Sequence, residues 1–430
     1  METHGGVSFD TDEEAGLILD SLGEFLEREV APVEEDLGDL LTNPRKGVDE
    51  DGNLDPAVVD AIEGIRRASA KAGFYAMNLP EDVGGSGVSN VTWYRAKRRV
   101  ARDGSALAEY ALAGPEGPKP LLLNAEGDQV DRYLEPTVRG EKSTAFALTE
   151  PGVGSDAPNM ATTARRVGEK AGDGSGAVGG ETGDDSGEGD DAEDDAEWIL
   201  DGQKQWITNA PHADFVQVFA RTTPAEETGR YGGITCFLVE DDEYEVGSLN
   251  NAVGLEGMQA ELHFDELRLP PGRVLGTVDG AFYEAMNFLG LGRMELGATA
   301  VGRSRFLRER CEDYATEREA FGRPIGEFQQ ISSKIARGYA RTEAADALGL
   351  RCAWELDRGG PAIEETSAFK WFATNAFWDV ADDAVQVHGS TGVSEDAPFV
   401  DNLHLARVLR IVEGTDEIQL NTIARQRGIL

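Results

Sequence analysis

Apolar residues recur at a helical period over the first third of the chain. Ile18, Leu22, Phe25, Leu26 and Val30 fall on one face of a helix, and Thr11-Asp12-Glu13-Glu14 ahead of them reads as a capping box. Asp55-Pro56 opens a second helix, with Val58, Val59, Ile62 and Ile65 turned inward and Gly73 as its stop. Residues 79–87 read as a loop, and Ser89 as the cap of a further helix. Residues 1–140 therefore predict an N-terminal helical domain.

From about Lys142 the period shortens to that of strands. The pattern predicts strands over 144–149, 198–208, 215–220, 234–239 and 262–269, separated by turn residues. Residues 141–278 thus predict a small β domain, barrel-like or sandwich-like. Inside it, residues 168–197 are almost entirely Gly, Ala, Ser, Thr, Asp and Glu, which predicts a disordered acidic insertion in a hairpin loop. Beyond Gly280 the helical period returns over 280–315, 327–358, 363–388 and 414–427, with Pro361 and Pro398 in the breaks. Long helices with short connections predict a C-terminal four-helix bundle over 279–430. The fold class expected is mostly α with a central small β domain.

Charge narrows the partners. The formal net charge is −40 and the isoelectric point about 4.4, which opposes binding to nucleic acid or to an anionic membrane. The basic residues are mostly Arg, and so acidic a surface suggests a halophilic source, where salt screens self-repulsion. Cys236, Cys311 and Cys352 are widely spaced, which fits a reduced interior and no structural zinc. The opening Met-Glu-Thr-His-Gly-Gly has no signal-peptide pattern, and charges at Arg293 and Glu295 break the best apolar run, so no membrane span and a cytoplasmic location are expected.

Candidate chemistry begins at Phe146-Ala147-Leu148-Thr149-Glu150-Pro151-Gly152-Val153-Gly154-Ser155-Asp156, a strand running into a glycine loop that suits a flat or anionic ligand. Three further stretches follow: Trp206-Ile207-Thr208-Asn209, Arg318-Glu319-Ala320-Phe321-Gly322 and Val412-Glu413-Gly414-Thr415. Together, in this order, they resemble the signatures of the acyl-CoA dehydrogenases, flavoenzymes that desaturate acyl-CoA thioesters. No Gly-x-Gly-x-x-Gly opens a βαβ unit, so FAD is held by another route.

The resemblance implies roles for individual residues. Glu413 is the catalytic base for the α proton, a carboxylate that desolvation in a closed acyl pocket raises toward working pH. Without the resemblance, a Glu among 80 acidic residues reads as a solvated surface group. Phe146, Leu148, Thr149, Trp206, Ile207 and Thr208 would line the flavin, and Ser155 would touch both cofactor and CoA. Trp206 read alone is a core aromatic of the β domain. Arg318, Phe321, Phe328, Gln329, Gln386, Val387, His388 and Gly389 match the shell of a neighbouring subunit's FAD, with Thr415 and Glu417 also on the cofactor. Arg293 and Gly414 would sit at the substrate. A homo-oligomer, typically a tetramer, and electron-transferring flavoprotein as the electron acceptor are the partners implied.

This chain also departs from the family pattern. Gly290 replaces a common Asp, and glycine occupies the helix position that bears the base in some members. Val153 is larger than the residue usual there, Gly389-Ser390 stands where two glycines are usual, and Val412 replaces Tyr, enlarging the acyl pocket. The alternatives on the same scaffold are an oxygen-using acyl-CoA oxidase, a nitroalkane oxidase and a non-enzymatic flavin-binding member.

Overall fold

A computed structural model describes residues 10–167, 197–252 and 254–430, without the side chain of Asn287. Most of the acidic stretch 168–197 lies outside the described residues. On either side of it the Val167 N–H donates to the Glu197 carbonyl at 2.9 Å.

The N-terminal helices include α1 (Glu13–Phe25), α2 (Pro56–Lys71) and α3 (Asn90–Asp103). The cap of α1 is Asp12, whose carboxylate accepts from the Ala15 N–H at 2.8 Å, one residue later than the capping box predicted. Asp55 and Ser89 cap α2 and α3 as expected, accepting from Ala57 N at 2.8 Å and Thr92 N at 3.1 Å.

The middle region is one mixed sheet. Its strands are β1 (Thr144–Ala147), β2 (Thr163–Arg166), β3 (Trp198–Thr208), β4 (Phe215–Arg221), β5 (Ile234–Glu240), β6 (Glu245–Leu249), β7 (Gln259–Leu269) and β8 (Val274–Leu275). Their order is β6-β7-β3-β2-β4-β5-β8, with β1 parallel to β4. β1 stops at Ala147 rather than Thr149, because the chain turns at Glu150-Pro151-Gly152-Val153. That turn closes through reciprocal bonds between Glu150 and Val153, and Gly152 takes φ 82°, the positive value its third position requires. β2, β6 and β8 were not legible in the sequence. They are short or exposed, and lack a run of alternating apolar residues.

The C-terminal part comprises α4 (Ala281–Glu317), α5 (Gln329–Asp357), α6 (Ile363–His388), α7 (Phe399–Leu409) and α8 (Asp416–Gln426). α7 is additional to the four helices expected.

Three cores bind the regions together. β4 alternates, sending Phe215 and Phe219 toward Tyr75, Tyr133 and Phe282, and Val216 and Val218 toward Trp198, Phe237 and Leu262. Trp93, Tyr94 and Val100 of α3 pack into the bundle beside Met294, Phe369 and Phe377. The N-terminal helices thus contact both the sheet and the bundle. Among the described residues no helix is long and apolar enough to cross a membrane.

Candidate active site

Between α7 and α8 the backbone makes a strained turn. Glu413 has φ 55° and Gly414 φ 89°, both left-handed, which a non-glycine residue adopts only when its surroundings enforce it. Those surroundings are explicit. Gln419 Nε2 donates to the carbonyls of Glu413 and Gly414 at 3.0 and 2.9 Å. Lys370 Nζ donates to the Gly414 carbonyl at 2.8 Å, and Arg293 Nε approaches the Glu413 carbonyl at 3.5 Å. Gln419 and Lys370 are both fully buried. Thr415 then caps α8, its hydroxyl accepting from Ile418 N at 3.4 Å.

The Glu413 side chain is exposed to water on one side, while protein crowds the rest of it. The expectation of a sealed, buried carboxylate is thereby corrected: the group is reachable. Crowding still pushes its carboxyl above the ordinary 4.5, opposed by the positive charges of Lys119, Arg293 and Lys370 and assisted by Glu295. Across from it, a Cβ built on Gly292 would lie 3.4 Å from the Glu413 carboxyl carbon.

A second group forms at the end of β1. The Thr149 carbonyl accepts from Gln205 N at 2.9 Å, which joins the loop to β3. A register shift in β3 between Lys204 and Ile207 puts Trp206 at φ 61° and turns its ring outward, 50% exposed. The reading of Trp206 as a core aromatic is therefore excluded. Ile207 is the core residue instead, so only its backbone can face a ligand. Thr208 Oγ1 accepts from Gln259 Nε2 at 3.0 Å, which leaves its own hydroxyl proton free to donate. Leu148 and Thr149 are half-buried, and Ser155 is exposed. Phe146 is half-buried, its ring 4.7 Å from that of Phe219.

A third group lies at the far end of the bundle. Arg318 follows α4, roughly 37 Å from Arg293 along the helix axis at 1.5 Å per residue. Phe321 tips a two-residue hairpin and is 97% exposed, its ring 6.0 Å from that of half-buried Phe328. The end of α6 meets this region through His388, stacked between Tyr314 at 4.5 Å and Phe399 at 3.9 Å. His388 Nδ1 also lies 2.8 Å from the Ala384 carbonyl, so its ring is occupied by packing. Val387 is buried, while Gln386, Gly389, Gln329 and Glu417 are exposed.

Several residues of these sites went unread in the sequence. Glu150 and Lys204 form a buried ion pair at 2.7 Å beneath the Thr149 loop, and Glu150 also accepts from Thr162 N at 3.0 Å. Burial lowers the Lys204 ammonium to about 8, with Glu150 opposing. The available signal was a lysine on an inward-facing position of β3. Lys119, Glu295 and Lys370 likewise interrupt apolar stretches, and each is a charge that a folded interior must pair.

Comparison with known proteins places this geometry. Residues 12–141, 145–267 and 280–427 match, in turn, the families described as Acyl-CoA dehydrogenase N-terminal domain, middle domain and C-terminal domain. The chain is 30% identical over 417 residues to a 3-(aryl)acrylate reductase of Clostridium sporogenes, covering 96% of this chain and 98% of that one. It is 29% identical to the caffeyl-CoA reductase-Etf complex subunit CarC of Acetobacterium woodii, covering 90% and 93%. Among solved structures, butyryl-CoA dehydrogenase from Megasphaera elsdenii superposes with a TM-score of 0.78 at 25% identity, covering 98% and 99%.

Proposed function

This chain belongs to the acyl-CoA dehydrogenase family of FAD-dependent enzymes acting on CH–CH bonds, and we propose that Glu413 is the base that takes the α proton of its acyl-CoA thioester. The observation that carries this reading is the setting of Glu413. It is a crowded yet reachable carboxyl, on a turn pinned by buried Gln419 and Lys370, lying against the Cβ-less face of Gly292. Crowding makes the carboxylate a stronger base, and an acyl chain bound over its reachable side would displace the remaining water. Arg293, beside the Glu413 carbonyl, and Gly414 border the thioester.

The residues at the end of β1 fit a flavin. An outward Trp206 ring offers a flat surface, and Thr149 and Thr208 offer hydroxyls. No neighbour lies within 4 Å of a Cβ built on Gly152 or Gly154. FAD, when bound there, supplies the acceptor for the β hydrogen that no side chain can provide. Phe146, Leu148, Ile207 and Ser155 border the same loop.

Arg318 and Phe321 stand too far along α4 to serve the site of Arg293. Together with Phe328, Gln329, Gln386, Val387, His388 and Gly389 they would complete the FAD site of a second copy, and a nearly bare Phe321 supports such cover. Thr415 and Glu417 open α8 beside the base. The assembly proposed is a homotetramer built from such pairs.

The small Val412 ahead of the base favours a bulky or ring-bearing acyl group, in keeping with the aryl acrylate and caffeyl names of the two relatives, whereas Gly290 turns away from Glu413 toward Pro361 and Leu356. The Etf complex of the second relative supports electron-transferring flavoprotein as the redox partner. Those relatives are named reductases, which favours a second reading. In the reverse direction protonated Glu413 would return the proton to the α carbon, and its raised pKa suits an acid as well as a base.

The test is an anaerobic titration of the purified protein with a panel of acyl-CoAs, watching the flavin absorbance. Ring-bearing or branched acyl-CoA should bleach it, and Glu413→Gln should stay yellow. Full bleaching of that variant would overturn the assignment.

A further inference from the structure

Behind Glu413 lies a second ionic group that the reaction as described does not use. Lys119 Nζ sits 2.6 Å from Glu295 Oε2, and Trp93 Nε1 donates to Glu295 Oε1 at 2.8 Å. Lys97 Nζ lies 5.1 Å from the centre of the Trp93 ring and donates to the carbonyls of Leu112 and Ala113 at 3.3 and 2.7 Å. Trp93 is fully buried, while Glu295 and Lys97 are 8% and 7% exposed. Glu295 lies on α4 only two positions past Arg293 and three past Gly292, the residue that faces the Glu413 carboxyl. Removing charged groups from water costs several kcal/mol each, so a fold keeps them only when something balances them.

We propose that Lys119 is a positioning residue for this site: its ammonium, pinned by Glu295, which the Trp93 indole holds in turn, is a fixed positive charge held one helical turn from the Gly292 face that meets Glu413. This rests on the reading of Glu413 as the base. The other charged groups around Glu413 make their hydrogen bonds to backbone or to other side chains, though Arg293 and Lys370 also favour its ionised form. Arg293 leans on the backbone carbonyl of Glu413, and Lys370 donates to the Gly414 carbonyl. Asp416 accepts from Arg410 at 2.8 Å, and Glu116 accepts from Tyr75 and from Gly114 N at 3.2 and 3.1 Å. The Lys119 ammonium favours the ionised form of Glu413, and Glu413 in turn favours the charged form of Lys119. Glu295 acts with the opposite sign, so the pair sets the affinity of Glu413 for a proton while fixing the ammonium in place.

The two partners must therefore act in opposite directions. Single-turnover flavin reduction by a saturating acyl-CoA is followed against pH for the holoenzyme, Lys119→Gln, Lys119→Arg and Glu295→Gln. Lys119→Gln should move the acidic limb upward by about one unit, Lys119→Arg should restore it, and Glu295→Gln should move it downward. Infrared difference spectra between each protein and its Glu413→Gln counterpart, without substrate, read the same carboxyl directly. An unmoved carboxyl titration in Lys119→Gln overturns the proposal. If that variant does not fold, an unmoved titration in Glu295→Gln overturns it. Flavin reduction that survives Glu413→Gln would instead overturn the base assignment, and the infrared titration would still decide the role of Lys119.

Discussion

A Cβ placed on Gly292 would lie 3.4 Å from the carboxyl carbon of Glu413, so two positions 121 residues apart in sequence address one point in space. Chemistry requires one carboxylate there, and a glycine on α4 leaves it room. Glu413→Gln should lower the rate of flavin reduction by about 10³-fold while flavin stays bound. Because the folded protein raises this carboxyl's pKa, its charge is a cost above the folded value and none below the ordinary one. Glu413→Gln should therefore melt no lower than the parent at neutral pH, and the difference should vanish as pH falls toward 4.

The same juxtaposition predicts that the base can be moved. Gly292→Glu combined with Glu413→Gly should recover part of the lost rate, since the new side chain would start 3.4 Å from the carboxyl carbon it replaces. Stopped-flow flavin reduction measures the recovery, and a double variant no faster than Glu413→Gly alone would show that the α carbon is not held within reach of position 292.

The turn that carries the base should be sensitive to one methyl group. Gly414 has φ 89°, and a Cβ there would meet Gln419 Nε2 at 2.8 Å. Gly414→Ala should cost about 1–3 kcal/mol in chemical denaturation, and should reduce kcat more than it raises KM because Glu413 shifts with the turn. Gln419→Ala should reproduce the kinetic loss.

Lys370 makes stability depend on alkaline pH. Burial lowers its ammonium to about 8 from 10.5, with Asp416 and Glu413 opposing. Between those values the folded chain binds fewer protons than the unfolded one, so the cost of the buried charge is complete below about 8 and fades as pH rises toward 10.5. Relative to Lys370→Met, the parent should gain stability over that window, measured as the melting temperature at successive pH values.

Lys204 and Glu150 should depend on one another. Lys204→Met leaves a buried carboxylate without its cation and should cost about 3–5 kcal/mol. Adding Glu150→Gln should return much of that loss, a coupling that a double-mutant cycle in urea reads directly. Weaker flavin retention is expected in the single variant, because the pair lies under Thr149.

Phe321 is the simplest test of assembly. A residue 97% exposed contributes little to the fold of its own chain. Phe321→Ser should leave the melting of a dilute subunit within about 0.5 kcal/mol while sedimentation shows a smaller particle that loses FAD more readily.

Much of this protein was determined by sequence alone. Helical periodicity located α1 through α6 closely, because each buries an apolar stripe, and β3, β4, β5 and β7 were marked by runs of β-forming residues, near-continuously apolar in β4 and β5, which are covered on both faces. The four motif stretches carried the family, since each is a local run and all four occur together in the family's order. Tertiary structure decided the rest. The outward turn of Trp206 comes from a register shift set by β7, which no local pattern records. Whether Glu413 is buried or reachable depended on a turn fixed by Lys370 and Gln419 from two other helices. The pairings of Lys119 with Glu295 and of Lys204 with Glu150 join residues 176 and 54 positions apart. A charge in an apolar run announces that a partner must exist; only packing brings that partner within hydrogen-bonding distance.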